Sequence, residues 1–233
     1  MNFKKYIPNL LTSLNLVSGC LGLLAIFEGR LYLGALMILV GSFFDFIDGL
    51  AARVLNARSE IGKQLDSLSD MVTFGVLPSF ILYYLLVEIG QPDIAYLAFL
   101  VAVASAFRLA KFNIDESQKQ DFIGLPTPAS AFLIAGLVFV KDAGWEIFSF
   151  IYSNTYGLII LIVLLSYLLN SHIKFVSLKL NKWQLKGNIL RFIIVISSII
   201  FMAFFQLPGI FLILVFYVLL SLFHNILIEK LMS

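Results

Sequence analysis

Apolar residues run along this chain in long blocks separated by short polar breaks, and the block length is the first informative quantity. A helix crossing the hydrocarbon core of a bilayer needs about 20 mostly apolar residues. Eight stretches qualify, approximately 8–27, 31–51, 67–87, 93–112, 125–141, 150–170, 190–206 and 208–228. Residues 209–223 (GIFLILVFYVLLSLF) carry no charge, whereas Asn154 and Thr155 interrupt the sixth stretch. Between Ser171 and Asn188 the apolar density falls and lysines enter, which marks a connector. There Phe175, Val176, Leu178 and Leu180 alternate with Lys174, Lys179 and Lys182, a pattern that suits an interfacial helix or a polar loop. The pattern as a whole predicts an all-α polytopic membrane protein of about eight transmembrane helices, with residues 1–233 as one integral-membrane domain.

Composition agrees and removes other classes. Hydrophobic residues make up 61% and charged residues 13% of the chain, and the mean hydropathy is +0.98. Soluble domains run at roughly 45–50% apolar and about 25% charged. A single cysteine excludes a disulfide scaffold. A net charge of +2 gives no reason to expect nucleic acid, but the placement of the charges is informative. With an even number of crossings and a cytoplasmic N-terminus, 14 of the 16 basic residues fall on the cytoplasmic side, leaving Arg30 and Lys141 outside. This positive-inside asymmetry predicts that both termini are cytoplasmic, in the cell membrane. The segment Leu16-Val17-Ser18-Gly19-Cys20 has the look of a lipoprotein cleavage site, but residues 21–27 remain apolar and Asn9 and Thr12 break the preceding core. Cys20 is therefore expected to be a small packing residue.

A charged Asp at a membrane helix centre costs about 2.5–3.5 kcal/mol, so acidic residues in the apolar blocks call for a reason. Asp45 and Asp48 close the second stretch, and Asp66 and Asp70 open the third. Spacings of three and four put each pair on one helix face. Two consecutive antiparallel helices would then bring four carboxylates together at the cytoplasmic membrane boundary. Solvated helix-end residues are the plain alternative, but acidic side chains run against the lysine-rich trend of that side. Hard divalent cations with oxygen ligands would relieve the repulsion, and two Mg²⁺ or Mn²⁺ ions would balance the formal charge. Gly49 leaves room for a ligand beside the backbone, Arg53 lies within reach of a phosphate oxygen, and Gly62 shares the face of Asp66. Together these describe a site for a metal-bound pyrophosphate.

The run Asp45-x2-Asp48-Gly49-x2-Ala52-Arg53-x8-Gly62-x3-Asp66-x3-Asp70 resembles the signature of the CDP-alcohol phosphatidyltransferase family at all eight fixed positions. The resemblance implies a membrane-embedded, usually dimeric enzyme in which an alcohol displaces CMP from a CDP-linked lipid. It also implies that Asp45, Asp48, Asp66 and Asp70 bind two metals, with Asp70 also the general base. Gly49, Ala52, Arg53 and Gly62 would line the CDP-lipid site, with Ser59 a further candidate in the connecting loop.

Three more stretches are similar to the phosphatidylserine synthase branch of this family: 9–19 (NLLTSLNLVSG), 66–79 (DSLSDMVTFGVLPS) and 106–130, the last with Phe107–Asn113 and Phe122–Pro128. They imply CDP-diacylglycerol, or its ether-lipid analogue, as donor and L-serine as acceptor. They also place the catalytic part at about 1–141, ahead of C-terminal helices at about 150–233. Serine's carboxylate needs a cation, for which Arg108 is best placed, although a positive-inside anchor would look the same. Asn113 and the Thr127 region offer hydrogen bonds, though an ordinary structural role explains them as well. Ala102, Ala106 and Ala110 form a stripe suited to close helix packing. His172 and His224 have no nucleophile partner in a recognisable motif, and no GxxxxGK loop occurs. Two rivals stand beside this reading. One keeps the chemistry but takes glycerol 3-phosphate or an inositol compound, using Arg58, Lys63, Arg108 and Lys111. The other is a divalent-cation transporter, which would place its carboxylates near the midplane between repeated halves.

Overall fold

The structure, a computed structural model, describes residues 6–57, 59–114, 122–176 and 188–232, which are mostly helical. Helix α1 (Tyr6–Phe27) and helix α2 (Leu31–Val54) form the first hairpin. Helix α3 (Glu60–Asp70) runs through a π-helical segment, Met71–Val76, into α4 (Leu77–Glu88). Helix α5 (Phe99–Ile114) follows a 3₁₀ turn at Ala95–Ala98. A short strand β1 (Phe122–Ile123), helix α6 (Thr127–Asp142), the single turn α7 (Ser149–Tyr152) and α8 (Thr155–Asn170) come next. Strand β2 (Lys174–Phe175) and helices α9 (Ile189–Phe205) and α10 (Gly209–Met232) complete the described chain.

Among the described residues, four segments are long and apolar enough to cross a membrane: Tyr6–Phe27, Leu31–Val54, Glu60–Glu88 and Ala95–Ile114. A fifth arises if Glu146–Tyr152 and Thr155–Asn170, bent by 71°, act as one span. The chain is on this basis an integral membrane protein. All eight predicted stretches fall on helices, but their lengths differ from expectation. Helix α6 has 16 residues, or about 24 Å at 1.5 Å per residue, short of the roughly 30 Å hydrocarbon core. It is buried from Leu133 to Val140 without a break, the pattern of a helix surrounded by protein. The sixth stretch bends where Asn154 caps α8, its side chain accepting from the amides of Tyr156 and Gly157. Polar residues there start a new helix instead of sitting inside one.

The carboxylate-bearing helices also extend past their expected ends. Helix α2 continues to Val54 and α3 begins at Glu60, so the aspartates stand one to three turns inside their helices. Small residues let the first hairpin pack tightly within itself and against α4. A Cβ at Gly34 would strike Ile26 of α1, and one at Gly22 would strike Leu77 of α4. Side chains seated against bare glycine backbone supply van der Waals contact where lipid gives helices no hydrophobic drive to associate. Cys20 is exposed and does not pack as expected, because α1 buries the face carrying Thr12, Asn15, Gly19 and Gly22. The alanine stripe also departs from expectation: Ala106 and Ala110 are exposed, and α5 buries Val101, Ala104, Ser105 and Arg108 instead. Of the Ser171–Asn188 connector, 177–187 lie outside the described residues, and with them most of the stretch read as an interfacial helix or a polar loop. Its first part is extended, with Ile123 facing Lys174 and Phe122 facing Phe175 in an antiparallel pair.

Candidate active site

Asp45 and Asp48 leave α2 three residues apart, and Asp66 leaves α3. One carboxylate oxygen from each of these three lies within 4.8 Å of the others. At an effective dielectric constant of 20, two unit charges about 4 Å apart repel by about 4 kcal/mol, so the cluster demands positive charge. One oxygen of Asp66, Oδ1, is buried without a hydrogen-bond partner among the described residues. Three converging hard oxygen donors with one unsatisfied match the ligand preferences of Mg²⁺ and Mn²⁺. The residues present therefore fit a divalent cation.

Asp70 is not part of that three-way cluster. Its Oδ1 accepts from Asn15 Nδ2 at 3.0 Å. One turn earlier on α1, Thr12 Oγ1 donates to Asp48 Oδ2 at 2.6 Å. Both Thr12 and Asn15 are buried. Helix α1 thus holds one aspartate from each acidic helix, using two polar side chains three residues apart on the same face. Asn15 did not stand out in the sequence as a functional residue. Its legible signal was a polar side chain on an apolar helix, spaced in register with Thr12.

Beside the cluster lies a cavity of about 500 Å³. Its walls include Asp48, Asp66 and four expected CDP-lipid residues: Gly49, Ala52, Ser59 and Gly62. At Gly49 a Cβ would meet nothing among the described residues within 4 Å, so the missing side chain adds to the open space of the cavity. Ser59 is the N-cap of α3 and accepts from the Gly62 amide at 3.0 Å, which fixes the cavity wall. Lys63 lines the cavity as well, and its ammonium donates to the carbonyl of Asn113 at 2.9 Å. Arg53 stands apart from the lining. It is exposed, and its Nε donates to the carbonyl of Gly49 four residues back at 2.9 Å.

The two expected acceptor residues point in different directions. Asn113 donates through Nδ2 to Ser67 Oγ at 2.8 Å, tying the end of α5 to the helix that carries Asp66. Arg108 is 6% exposed and turns to the opposite neighbour, donating to the carbonyls of Ile123 and Leu125. It borders a separate cavity of about 340 Å³ together with Lys111, Asn170 and His172. Residues 108 and 113 are five positions apart, roughly 140° around a helix of 3.6 residues per turn, so α5 cannot present both to one neighbour.

Comparison with known proteins agrees with this geometry. A family profile described as CDP-alcohol phosphatidyltransferase matches residues 5–169. A Bacillus subtilis protein named CDP-diacylglycerol–serine O-phosphatidyltransferase is 40% identical over 178 residues, covering 75% of this chain and 92% of the relative. A protein of the same name from Helicobacter pylori strain J99 is 35% identical over 201 residues, covering 83% of this chain and 81% of the relative. The archaetidylserine synthase of Methanothermobacter thermautotrophicus is 35% identical over 143 residues, 58% of this chain and 60% of that protein. With eight signature positions on α2 and α3, carboxylates that converge beside a cavity, and a profile spanning most of the sequence, the chain belongs to the CDP-alcohol phosphatidyltransferase family.

Proposed function

We propose that this protein transfers a phosphatidyl group from CDP-diacylglycerol to L-serine, giving phosphatidylserine and CMP. The observation that carries the reading is the convergence of Asp45, Asp48 and Asp66 beside a cavity walled by the family's own signature residues. The names of the bacterial relatives support serine as acceptor, and family membership sets the transporter reading aside. Asp45, Asp48 and Asp66, with Asp70 beside them, would hold two divalent cations, Mg²⁺ or Mn²⁺. When bound, these supply positive charge that offsets the pyrophosphate and the departing CMP.

The chain's own groups do the rest. Gly49, Ala52, Ser59 and Gly62 shape the cavity for the CDP moiety, and Arg53 at its margin reaches the phosphate region. Arg108 would meet the carboxylate of a serine that approaches through the second cavity, which it borders, while Asn113 steadies the α5 end beside Ser67. The serine hydroxyl oxygen bonds to the phosphorus that carries the lipid, and the bond from that phosphorus to CMP breaks. The hydroxyl proton passes to Asp70. The two cations in the Arg108 cavity, Arg108 and Lys111, favour a second reading with a phosphorylated acceptor such as glycerol 3-phosphate or an inositol phosphate. Of the other residues in that reading, Lys63 lines the aspartate cavity and Arg58 lies outside the described residues. The donor's chains, acyl or isoprenoid ether, form a further variable, since one relative is an archaetidylserine synthase.

One assay separates these. Purified protein is given CDP-diacylglycerol or its ether analogue with Mn²⁺ or Mg²⁺, then serine, glycerol 3-phosphate, inositol or inositol phosphate in turn. CMP release should require serine. Release with a phosphorylated alcohol and none with serine would replace the acceptor while keeping the chemistry.

The proposal includes an eight-span topology with both termini and the aspartate site on the cytoplasmic side, in a homodimer whose catalytic part is about 1–141. The 14-to-2 distribution of basic residues supports that orientation. A reporter fused after Ser233 should read as cytoplasmic, as should an epitope tag inserted between Ser171 and Asn188. An external signal from either position would overturn the arrangement.

A further inference from the structure

We infer that Asn15 is a positioning residue for Asp70, its amide fixing the carboxylate so that the second oxygen faces the acceptor hydroxyl. The inference rests on the proposed role of Asp70 as base and deepens it.

Four observations converge. Asn15 is fully buried, and its Nδ2 donates to Asp70 Oδ1 at 3.0 Å. Its own Oδ1 is buried with no hydrogen-bond partner among the described residues. A buried amide carbonyl left unpaired costs about 1–3 kcal/mol, and native structures rarely carry one without a reason. An ionised carboxylate only accepts, so the amide must turn its NH₂ toward Asp70 and leave the carbonyl behind. The orphaned oxygen is thus the consequence of serving the carboxylate.

Second, the backbone under Asn15 is clamped. Thr73 Oγ1 donates to the Asn15 carbonyl at 2.9 Å. Thr73 is itself fully buried and wedged between two glycines. A Cβ at Gly19 would come 2.5 Å from Thr73 Oγ1, and one at Gly41 would come 2.5 Å from Thr73 Cγ2. Third, the same Gly41 leaves room for the side chain of Asn15, since its Cβ would lie 2.9 Å from Asn15 Oδ1. Fourth, the π-helical segment Met71–Val76 begins at the residue after Asp70. The wider π turn shifts the register of the helix just past the carboxylate and brings Thr73 against α1. π segments of this kind recur at functional sites. Three helices therefore meet at one level and fix the donor that fixes Asp70.

What sets Asp70 apart is its place outside the cluster that Asp45, Asp48 and Asp66 form. Asp48 also accepts from a neutral donor, Thr12, but within that cluster. A carboxylate beside the cluster with one oxygen engaged by an amide suits proton acceptance by the other.

The test uses the full-length enzyme and two substitutions. Asn15→Ala removes the amide, and Asn15→Asp keeps the shape while replacing the donor with an acceptor. Outer-shell changes of this type typically cost about 10–100-fold, and kcat for CMP release should fall by that factor in both variants. The KM for donor and for serine should stay within about threefold of wild type, and Mn²⁺ affinity, read by electron paramagnetic resonance without substrate and set chiefly by Asp45, Asp48 and Asp66, should fall by less than kcat does. In an Asp70→Asn background, Asn15→Ala should cost almost nothing further, because the two residues act as one unit. Unchanged kcat, a collapse of Mn²⁺ affinity, or an undiminished loss in the Asp70→Asn background would each overturn the inference. Full activity of Asp70→Asn alone would instead overturn the base assignment, so the two failures are distinguishable. If Asn15→Ala fails to fold, the near-isosteric Asn15→Asp carries the same comparison.

Discussion

Stripped of divalent cations with EDTA, the purified protein is expected to release no CMP, and to recover when Mg²⁺ or Mn²⁺ is returned. Asp45→Asn or Asp66→Asn should abolish turnover at any metal concentration that saturates the wild type. The reason is electrostatic. Carboxylates within 4.8 Å of one another repel strongly, and a cation would both offset that repulsion and engage the Asp66 oxygen that has no partner among the described residues. The same argument predicts an opposite effect on stability. In the metal-free state each Asp→Asn change removes a repulsive charge, so the Tm of the stripped variants should equal or exceed that of stripped wild type. A structural role for these carboxylates would lower it. Full turnover in rigorously metal-free enzyme would remove the metal from the proposal.

Asp70→Asn is the second change with a large expected effect. A positioned general base typically contributes about 10²–10⁴-fold, and serine's hydroxyl is a poor nucleophile near neutral pH. Turnover should fall by at least about two orders of magnitude on that scale, while CDP-lipid affinity is largely retained. Retention is expected because Asp70 lies outside the three-carboxylate cluster and outside the cavity lining. Donor affinity and CMP release should be measured on the same preparation. If turnover falls only in proportion to lost donor or metal binding, Asp70 is a ligand alone and the proton goes elsewhere. In this variant the Asn15 amide can still donate to the side-chain carbonyl oxygen at position 70 when that oxygen occupies the place of Asp70 Oδ1, so the variant keeps a defined geometry.

The aspartates were legible without coordinates because their signal is local. Spacings of three and four on helices fix a shared face through helix geometry alone, and acidic residues in apolar blocks are conspicuous. The cavity wall was legible for the same reason, since Gly49, Ala52, Ser59 and Gly62 lie between the two acidic pairs on one short connection. Arg53 shows where locality stops helping. Four residues from Gly49 it can reach either a ligand or the turn below it, and it donates to that turn's carbonyl.

Long-range placement was decided only by packing. Arg108 and Asn113 share one motif and look like one site, yet α5 turns them to different neighbours, one toward the 123–125 backbone and the other toward Ser67. Asn15 and Thr12 lie 55 and 36 positions before the carboxylates they hold, a separation that no spacing rule connects. The burial of α6, the bend before α8 and the π segment after Asp70 are likewise properties of the assembled bundle. Hydropathy along the chain determined that it enters a membrane, where its helices lie, and which carboxylates share a face. Which side chain meets which across helices depended on close approach at Gly19 and Gly41, where Thr73 fits only because a Cβ is missing. That is a matter of ångström-scale volume in three dimensions, which linear periodicity does not encode.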